Sequence, residues 1–122
     1  MPQTFNSVLM IDDDPSHLKV YSWILQRGGF SPITVLATTT GVDLPSESSV
    51  GVIVMDYRLG NVSPVTVAQQ VRTVYPAAPI VVLSDLFGMP TDIAPYVQTF
   101  VRKGDPDHLL NELRGILKAS SN

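Results

Sequence analysis

The sequence predicts an α/β fold: a five-stranded parallel sheet in the strand order 2-1-3-4-5, with helices on both faces. Two observations predict it. Short apolar runs rich in valine and isoleucine alternate about five times with segments of helical spacing, as in a sheet that is covered on both faces. Several of these runs also end in a polar or charged residue. In a parallel sheet such ends meet at one edge, where open α/β sheets bind ligands.

The run at 50–56 is the central predicted strand. Apart from Gly51 it consists of valine, isoleucine and methionine, and it stops at the carboxylate of Asp56. Periodicity alone does not separate such a run from a buried helix segment, but Gly51 and the breakers on either side favour a strand. Because an unpaired charge is costly to bury, Asp56 is expected at the mouth of the sheet.

The remaining strands are placed by similar apolar runs. They are predicted at residues 8–11, 33–36, 80–83 and 100–102. Three aspartates follow the first of these runs, Ser84 and Asp85 follow the run at 80–83, and Lys103 follows the last run. These polar residues are therefore expected to lie together at one edge of the sheet.

Three helices are placed by their caps and their apolar spacing. Asp14 and Asp105 each precede a proline, and an N-cap carboxylate followed by proline is typical of a helix start. The first helix is expected to end at Gly28 and Gly29, and another helix is predicted at 64–74. The core-facing residues are expected to be Leu18, Tyr21, Ile24 and Leu25, then Val67, Ala68 and Val71, and finally Leu109, Leu110, Leu113, Ile116 and Leu117.

Two segments are expected to depart from regular helices. Residues 38–49 should hold a second helix, yet they contain a glycine, a proline and several serines and threonines, so this helix is expected to be short or distorted. Pro90 and Pro95 leave room for only a small helix within 87–98. The fourth helix of the alternating pattern is therefore predicted to be shortened.

Length and composition limit the classes of protein to which the chain can belong. The 122 residues are 44% apolar and 16% charged, which is enough for one domain with a real core. We predict a single domain over 1–122, with its core at about 7–118 and a tail or the start of a linker at 119–122. The net charge of −3 argues against direct binding of nucleic acid, whose phosphates are met by basic surfaces.

Cysteine usage and hydropathy bear on location. The chain contains no cysteine, which excludes a disulfide framework and thiolate chemistry and is compatible with the cytoplasm. It shows no signal peptide and no apolar stretch long enough to span a bilayer. We therefore expect a cytoplasmic protein that does not interact with a membrane.

Four motifs stand in order along the chain: VLMIDDDP at 8–15, VIVMDYRL at 52–59, VVLSD at 81–85 and FVRKG at 100–104. Together they resemble the motifs of the receiver domains of two-component response regulators. The resemblance covers nearly the whole chain. It implies a flavodoxin-like, doubly wound fold and a module that accepts a phosphoryl group in a phosphorelay and then changes conformation.

The resemblance also implies a role for each polar strand end. Asp56 corresponds to the phosphoacceptor, and Asp12 and Asp13 correspond to the acidic pair that holds a divalent cation, Mg²⁺. Ser84 corresponds to the hydroxyl that meets the phosphoryl group, and Lys103 to the lysine of the family's site.

Two further positions take roles from the same resemblance. Phe100 falls at the switch aromatic, which acts together with Ser84 when the domain changes conformation. Arg58 sits where the family supplies a backbone carbonyl to the metal. Both roles are implied by the resemblance alone.

The chemistry is reasonable without the family name. Three carboxylates in one small cleft repel one another, and a hard cation with oxygen ligands relieves that repulsion. Asp56 can then attack phosphorus in line while the cation, Lys103 and Ser84 offset charge on the equatorial oxygens. The product is an acyl phosphate, which is labile enough to serve as a timed signal.

Several residues depart from the family pattern. Asp85 stands where receivers usually carry alanine or glycine, and we expect it to modulate the site. Its charge is expected to oppose phosphorylation, either by repelling the donor and product or by attracting Lys103 or an arginine and so holding the lysine away from Asp56. Gly104 replaces a proline after Lys103, so a cis peptide is unsupported there, at a cost of about 3 kcal/mol. These departures cluster around the fourth helix and fifth strand, where receivers commonly signal.

One alternative is an enzyme. Residues 11–16 resemble the first motif of haloacid-dehalogenase-like phosphatases, in which Asp12 would be the nucleophile and Asp14 the acid or base. Asp56 would have no role in such an enzyme, and no acidic strand end follows Lys103. The aspartate that carries phosphate, Asp56 or Asp12, distinguishes the two readings.

A second alternative is a degenerate receiver that acts only as a docking module. The complete acidic set argues against it, whereas Asp85 argues mildly for it. As a receiver, the domain is expected to perform only its own phosphotransfer and dephosphorylation and not to act as an enzyme on other substrates.

Four remaining residues are interpreted as structural. His17 and His108 lie in predicted helices with no second ligand at a convincing spacing, so both are expected to be structural or surface residues. Tyr21 and Trp23 are expected to pack the first helix rather than to hold a cofactor.

The resemblance finally implies partners. A histidine kinase or a phosphotransfer protein is expected to supply the phosphoryl group. A downstream protein, a fused output domain or a second copy of the chain would receive the signal. No direct contact with nucleic acid or membrane is expected of this domain.

Overall fold

The computed structural model describes residues 7–46 and 50–120. Strands and helices alternate within these residues except between β2 and β3, and a single 3₁₀ turn, Ala94–Tyr96, stands where the fourth helix was expected. The elements are β1 (Ser7–Asp12), α1 (Pro15–Arg27), β2 (Ser31–Leu36), β3 (Val50–Asp56), α2 (Pro64–Val74), β4 (Ile80–Ser84), β5 (Thr99–Arg102) and α3 (Pro106–Ser120).

The strands form one parallel sheet in the order β2-β1-β3-β4-β5, which confirms the predicted order. The register brings the polar strand ends to one edge. Asp12 lies opposite Leu36 of β2, Asp56 opposite Leu83 of β4, and Ser84 opposite Arg102 of β5. The carboxyl ends of β1, β3, β4 and β5 therefore share one side of the molecule.

Side chains of the sheet alternate between two apolar clusters, one on each face, as expected of a sheet covered on both sides. Beneath α1 and α3 the buried residues are Val8, Met10, Leu18, Leu25, Phe30, Val52, Val54, Val81, Leu83, Val101, Leu109 and Leu113. On the other face, α2 contributes Val67, Ala68 and Val71, which pack on buried residues that include Leu9, Ile11, Ile53, Met55, Ile80, Val82 and Ile93. The predicted helices on both faces are thus confirmed.

The helix caps follow the predicted chemistry. The Asp14 side chain accepts a hydrogen bond from the Ser16 N–H (2.9 Å), and Pro15 occupies the first turn of α1. Asp105 accepts from the His108 N–H (3.1 Å) at the start of α3. Gly29, at φ 91°, follows α1 in the left-handed conformation that glycine adopts without strain.

The prediction of a helix in 38–49 is wrong for residues 38–46, which form turns and irregular chain; 47–49 lie outside the described residues. Thr38 and Gly41 pair backbone to backbone at 2.9 Å, with Gly41 at φ 109°, a conformation that a right-handed helix excludes. The Tyr75 hydroxyl donates to the Pro45 carbonyl. Val42 and Leu44 pack against the core, so irregular chain covers the sheet in place of a helix.

The predicted shortening of the fourth helix is confirmed. Between β4 and β5 the regular structure is the single turn Ala94–Tyr96, and Ile93 before it is fully buried. No cis peptide occurs among the described residues, and Gly104 takes φ 87° directly after Lys103. No helix in the described part of the chain is both long and apolar enough to cross a bilayer.

Candidate functional site

Three polar side chains are buried among the described residues, and all three are predicted site residues. They are Asp12, Asp56 and Ser84, with at most 2% of each residue exposed. Each lies at the carboxyl end of its strand, β1, β3 or β4. Because burying polar groups costs free energy unless they find partners, their concentration at one edge marks this edge as the candidate site.

Asp56 is held by two donors. The Lys103 ammonium lies 2.8 Å from Asp56 Oδ2, and the Arg58 N–H donates to Oδ1 at 3.0 Å. The lysine backbone is fixed in turn, because the Lys103 N–H donates to the Ser84 carbonyl at 3.0 Å. The site thus presents a buried carboxyl group with the Lys103 ammonium in contact.

The Lys103 ammonium keeps its charge in this setting. Partial burial alone would lower its pKa, and it is the largest single influence. The hydrogen bond and charge of Asp56, with the charges of Asp85 and Asp12, outweigh it, so the pKa of Lys103 lies above its ordinary value. A permanently positive group therefore stands beside Asp56.

Asp12 lacks such a partner. Its Oδ1 accepts from the Asp14 N–H at 3.1 Å, but the buried Oδ2 has no hydrogen bond. Burial, the hydrogen bond with Asp13 and the charge of Asp56 raise the pKa of Asp12 to about 6, against the opposing influence of Asp14 and His17. A buried, unsatisfied carboxylate oxygen beside a second carboxylate fits a divalent cation with oxygen ligands.

Asp13 is less closely gathered than predicted. It is exposed, and its Oδ2 faces the turn after β3, where a methyl group at Gly60 would lie only 2.9 Å away. Among the described residues, one group of three offers potential metal-ligand atoms within 4.8 Å of one another: Asp12, Asp56 and His17. The predicted acidic pair is therefore only half within this group.

His17 is exposed, as expected of a surface residue, but two carboxylates lie beside its ring. Its Nδ1 lies 3.4 Å from Asp12 Oδ2 and its Nε2 lies 3.5 Å from Asp14 Oδ2. His17 follows Asp12 by five residues and occupies the first turn of α1, directly above the end of β1. The sequence signal for His17 is its position in the first helical turn after an acidic strand end, which makes it a candidate but does not place its ring. His108, by contrast, pairs only with Glu112 on the surface of α3, at 3.4 Å.

Ser84 and Asp85 end the fourth strand differently. The Ser84 hydroxyl is buried and accepts from the Leu86 N–H at 3.0 Å. The Asp85 side chain is 55% exposed, and its Oδ2 lies 4.0 Å from Arg58 Nε. Since Lys103 contacts Asp56, Asp85 does not hold the lysine away; the neighbouring arginine attracts its carboxylate instead.

The arrangement of these site residues agrees with the protein family that the sequence matches. Residues 8–113 match the family described as response regulator receiver domain, which is most of the chain. The chain belongs to the response regulator receiver domain family. This membership favours neither the phosphatase alternative nor the docking-only alternative. The cap geometry also speaks against an acid or base at Asp14, because hydrogen bonds from Ser16 hold the pKa of Asp14 below its usual value.

Similar proteins agree with this assignment. Transcriptional regulatory protein GlrR of Escherichia coli K12 is 25% identical over 118 residues, which are 93% of this chain and 27% of that protein. The receiver domain thus spans about a quarter of the length of this relative. Among solved structures, a CheY-like receiver domain protein from Methanospirillum hungatei JF-1 is 16% identical, with a TM-score of 0.76 and coverage of 93% of this chain and 94% of that one.

A second solved structure gives the same fold. The chemotaxis response regulator CheY4 of Vibrio cholerae is 19% identical, with a TM-score of 0.69 and coverage of 90% of this chain and 97% of that one. At sequence identities this low, the similarity shows a shared fold and nothing more specific.

Two remaining predicted residues lie at the margin of the receiver site. Phe100 is half-buried in β5 and packs against the core beneath α2. The Arg58 side chain is 70% exposed, and its backbone N–H holds Asp56.

The two aromatic residues of α1 behave differently from each other. Tyr21 packs against the cluster beneath α1 as expected, and burial raises the pKa of its hydroxyl. Trp23 is 57% exposed and is stacked by Arg27 at 4.9 Å, so the expectation that it packs the helix is wrong.

Proposed function

We propose that Asp56 is the residue through which this receiver domain accepts a phosphoryl group. The observation that carries the proposal is the contact of 2.8 Å between the Lys103 ammonium and a buried carboxylate at the carboxyl edge of the sheet. An oxygen of Asp56 would form a new bond to phosphorus while the bond from phosphorus to the donor's leaving group breaks. The leaving group departs with the electron pair of that bond and takes up a proton.

Lys103 and Ser84 are proposed to meet the transferred group. The charge of Lys103 would offset the negative charge on the phosphoryl oxygens, and the Ser84 hydroxyl would turn from its present contact with the Leu86 N–H to donate to one of them. The backbones of the two residues are joined by the hydrogen bond from the Lys103 N–H to the Ser84 carbonyl, so only their side chains need to move.

Mg²⁺ is proposed as the cofactor, bound by Asp12, Asp13, Asp56 and the backbone carbonyl of Arg58. The support is the unsatisfied Oδ2 of Asp12 next to a second carboxylate. When bound, Mg²⁺ supplies positive charge for oxygen ligands and for phosphoryl oxygens. Asp12 and Asp13 would then hold the ion beside Asp56.

The conformational response is proposed to run through Ser84 and Phe100. Turning the Ser84 hydroxyl would release the Leu86 N–H, which starts the irregular segment that replaces the fourth helix. Phe100 lies on the neighbouring strand and packs against the core on that side.

Partners are proposed from the family and from the relatives. A histidine kinase or phosphotransfer protein would supply the phosphoryl group in the cytoplasm. Since the similar GlrR is named a transcriptional regulatory protein, a fused output domain or a downstream protein would read the signal, or a second copy of the chain would. Direct binding of nucleic acid or membrane by this domain is not proposed, nor catalysis on other substrates.

Intact-mass measurement tests the proposal. With Mg²⁺ and a small phosphodonor, the protein should gain one phosphoryl group that survives acid and is lost in base. Asp56→Asn should gain none, whereas Asp107→Asn, on the exposed first turn of α3, should behave like the wild type. Full labelling of Asp56→Asn would overturn the proposal.

A further inference from the structure

We propose that His17 is a nitrogen ligand of the metal site, and that it raises the affinity of the site for imidazole-preferring divalent transition metals, such as Ni²⁺ and Cu²⁺, without raising its affinity for Mg²⁺. The proposal rests on the metal site of the proposed function and adds a ligand to it. It follows from the position of one side chain that the acidic set leaves unexplained.

The first step is the position of the imidazole. His17 Nδ1 lies 3.4 Å from Asp12 Oδ2, and His17, Asp12 and Asp56 each offer a ligand atom within 4.8 Å of the others. Asp12 Oδ2 is buried and forms no hydrogen bond, and the imidazole is a charged or ligating group beside it rather than a hydrogen-bond donor. A metal ion shared by the two groups would satisfy both.

The second step concerns the other ring nitrogen. His17 Nε2 lies 3.5 Å from Asp14 Oδ2. The remaining oxygen of Asp14 is fixed by the N–H and hydroxyl of Ser16, at 2.9 and 2.6 Å, because Asp14 caps α1. If the ring donates its Nε2–H to this carboxylate, the Nδ1 lone pair is free for a metal ion on the side of Asp12. Metal-binding histidines are commonly oriented by such a carboxylate.

The third step concerns whether the carboxylate oxygens of the site can still bind a metal ion. Asp56 uses one oxygen for Lys103 and the other for the Arg58 N–H, and each carboxylate oxygen has a second lone-pair direction. A site with one imidazole and two carboxylates differs from an all-oxygen site in the metal ions that it prefers. Imidazole suits nickel, copper and zinc, whereas Mg²⁺ prefers oxygen.

The same geometry allows a simpler reading, in which His17 only neutralises Asp12. Both ring nitrogens face carboxylates that act only as acceptors, so a neutral ring would satisfy one and present a lone pair to the other. A protonated ring would satisfy both without any metal. The two readings differ in the effect of removing the ring, because a neutralising cation opposes metal binding whereas a ligand supports it.

Calorimetric titration of tag-free protein with Ni²⁺ and, separately, with Mg²⁺ tests the proposal. His17→Ala should lose at least about tenfold in Ni²⁺ affinity, while its Mg²⁺ affinity stays at the wild-type value. His108→Ala is the matched control, because His108 is similarly exposed and faces Glu112 at 3.4 Å, a pair that could bind metal by itself. This control should keep both affinities.

Electron paramagnetic resonance of bound Cu²⁺ gives a readout that a structural role would not move. Nitrogen hyperfine coupling should be present in the wild type and in His108→Ala, and absent when His17→Ala is combined with His108→Ala, which removes the only other histidine of the sequence. Unchanged or tighter Ni²⁺ binding in His17→Ala would overturn the proposal, as would equal losses for Ni²⁺ and Mg²⁺ or a loss confined to His108→Ala. Failure of the wild type to bind Mg²⁺ would count instead against the proposed function.

Discussion

Asp12 combines complete burial with an oxygen that lacks a hydrogen bond, within reach of the charge of Asp56. In a metal-free protein this is an unfavourable arrangement, since both desolvation and like charge oppose ionisation. Such a group is retained where a ligand compensates for it. Asp12 therefore links the stability of the free domain to the proposed metal site.

Replacing Asp12 with asparagine should change how stability depends on pH. The pKa of Asp12 in the folded protein is raised from 3.8 to about 6. Protonated Asp12 therefore contributes its full stabilisation of the fold below pH 4, and this contribution is lost as pH rises through about 6. The loss amounts to about 3 kcal/mol. Without metal, the stability of Asp12→Asn relative to the wild type should therefore rise between pH 4 and pH 7.

Urea unfolding in the presence of a chelator measures this effect. Asp107→Asn, which changes an exposed aspartate, serves as the control and should track the wild type. A constant difference between Asp12→Asn and the wild type across this pH range would contradict the account of Asp12.

Replacing Asp85 with alanine should raise the steady-state phosphorylated fraction. The carboxylate lies at the rim of the site near Arg58, so its charge opposes an anionic donor and product. As its side chain is 55% exposed, the effect should be about 1 kcal/mol or less, a gain of up to about fivefold.

Phosphorylation with a small donor at matched Mg²⁺ measures this gain at low and high salt. The gain should shrink at high salt, because Lys103 contacts Asp56 rather than Asp85 and only screened repulsion remains. A phosphorylation level at or below the wild-type level at low salt would show that Asp85 is neutral or helpful.

At the scale of elements, the turn between β3 and α2 constrains Asp13. Gly60 has φ 62°, and a methyl group there would lie 2.9 Å from Asp13 Oδ2. The absence of a side chain at residue 60 thus leaves room for the carboxylate. Gly60 and Asp13 follow different strands, yet they lie next to each other.

Replacing Gly60 with alanine should both strain the turn and displace Asp13, so Mg²⁺ affinity should fall. Gly29→Ala is the matched control: its φ is 91°, and nothing lies within 4 Å of the added methyl. Both variants should lose about 1 kcal/mol or more of stability from backbone strain, but only Gly60→Ala should bind Mg²⁺ more weakly. Equal Mg²⁺ affinities in the two variants would exclude a role of this contact.

The elements also mark where sequence reasoning succeeds. Strand runs, aspartate–proline caps and the proline-limited fourth helix are local patterns, and all are found in the structure. The prediction of a helix at residues 38–46 was wrong because tertiary contacts determine the conformation of this segment. Val42 and Leu44 cover the sheet without a helix, and the hydroxyl of Tyr75, which is distant in sequence, donates a hydrogen bond to the Pro45 carbonyl. Local propensity only indicated that a helix there would be poor.

At the scale of the molecule, the parallel sheet gathers residues from four strands at one edge. Asp12, Asp56, Ser84 and Lys103 could be assigned to this edge from sequence, because strand ends in a parallel sheet are aligned. The contact of His17 with Asp12 could not be, since it depends on how α1 leaves β1. Nor could the close approach of Asp13 to the turn at Gly60 be assigned, because it depends on how two separate elements pack.

Mg²⁺ should raise the melting temperature of the whole domain. A ligand that binds only the folded state stabilises it by about 1.4 kcal/mol at ten times its Kd, which corresponds to a shift of a few degrees. Thermal unfolding with and without millimolar Mg²⁺ measures the shift, which should largely vanish in Asp13→Asn and persist in Asp107→Asn. An unchanged wild-type melting temperature would count against a shared metal site.

The most direct test of the central claim is chemical identification of the phosphorylated residue. Borohydride reduces an aspartyl phosphate to homoserine, which peptide mass analysis locates in the chain. After phosphorylation with Mg²⁺ and a small donor, homoserine should appear at position 56 and nowhere else, because Asp56 is the carboxylate in contact with Lys103. Homoserine at position 12, or at neither position in a protein that has gained phosphate, would contradict the account.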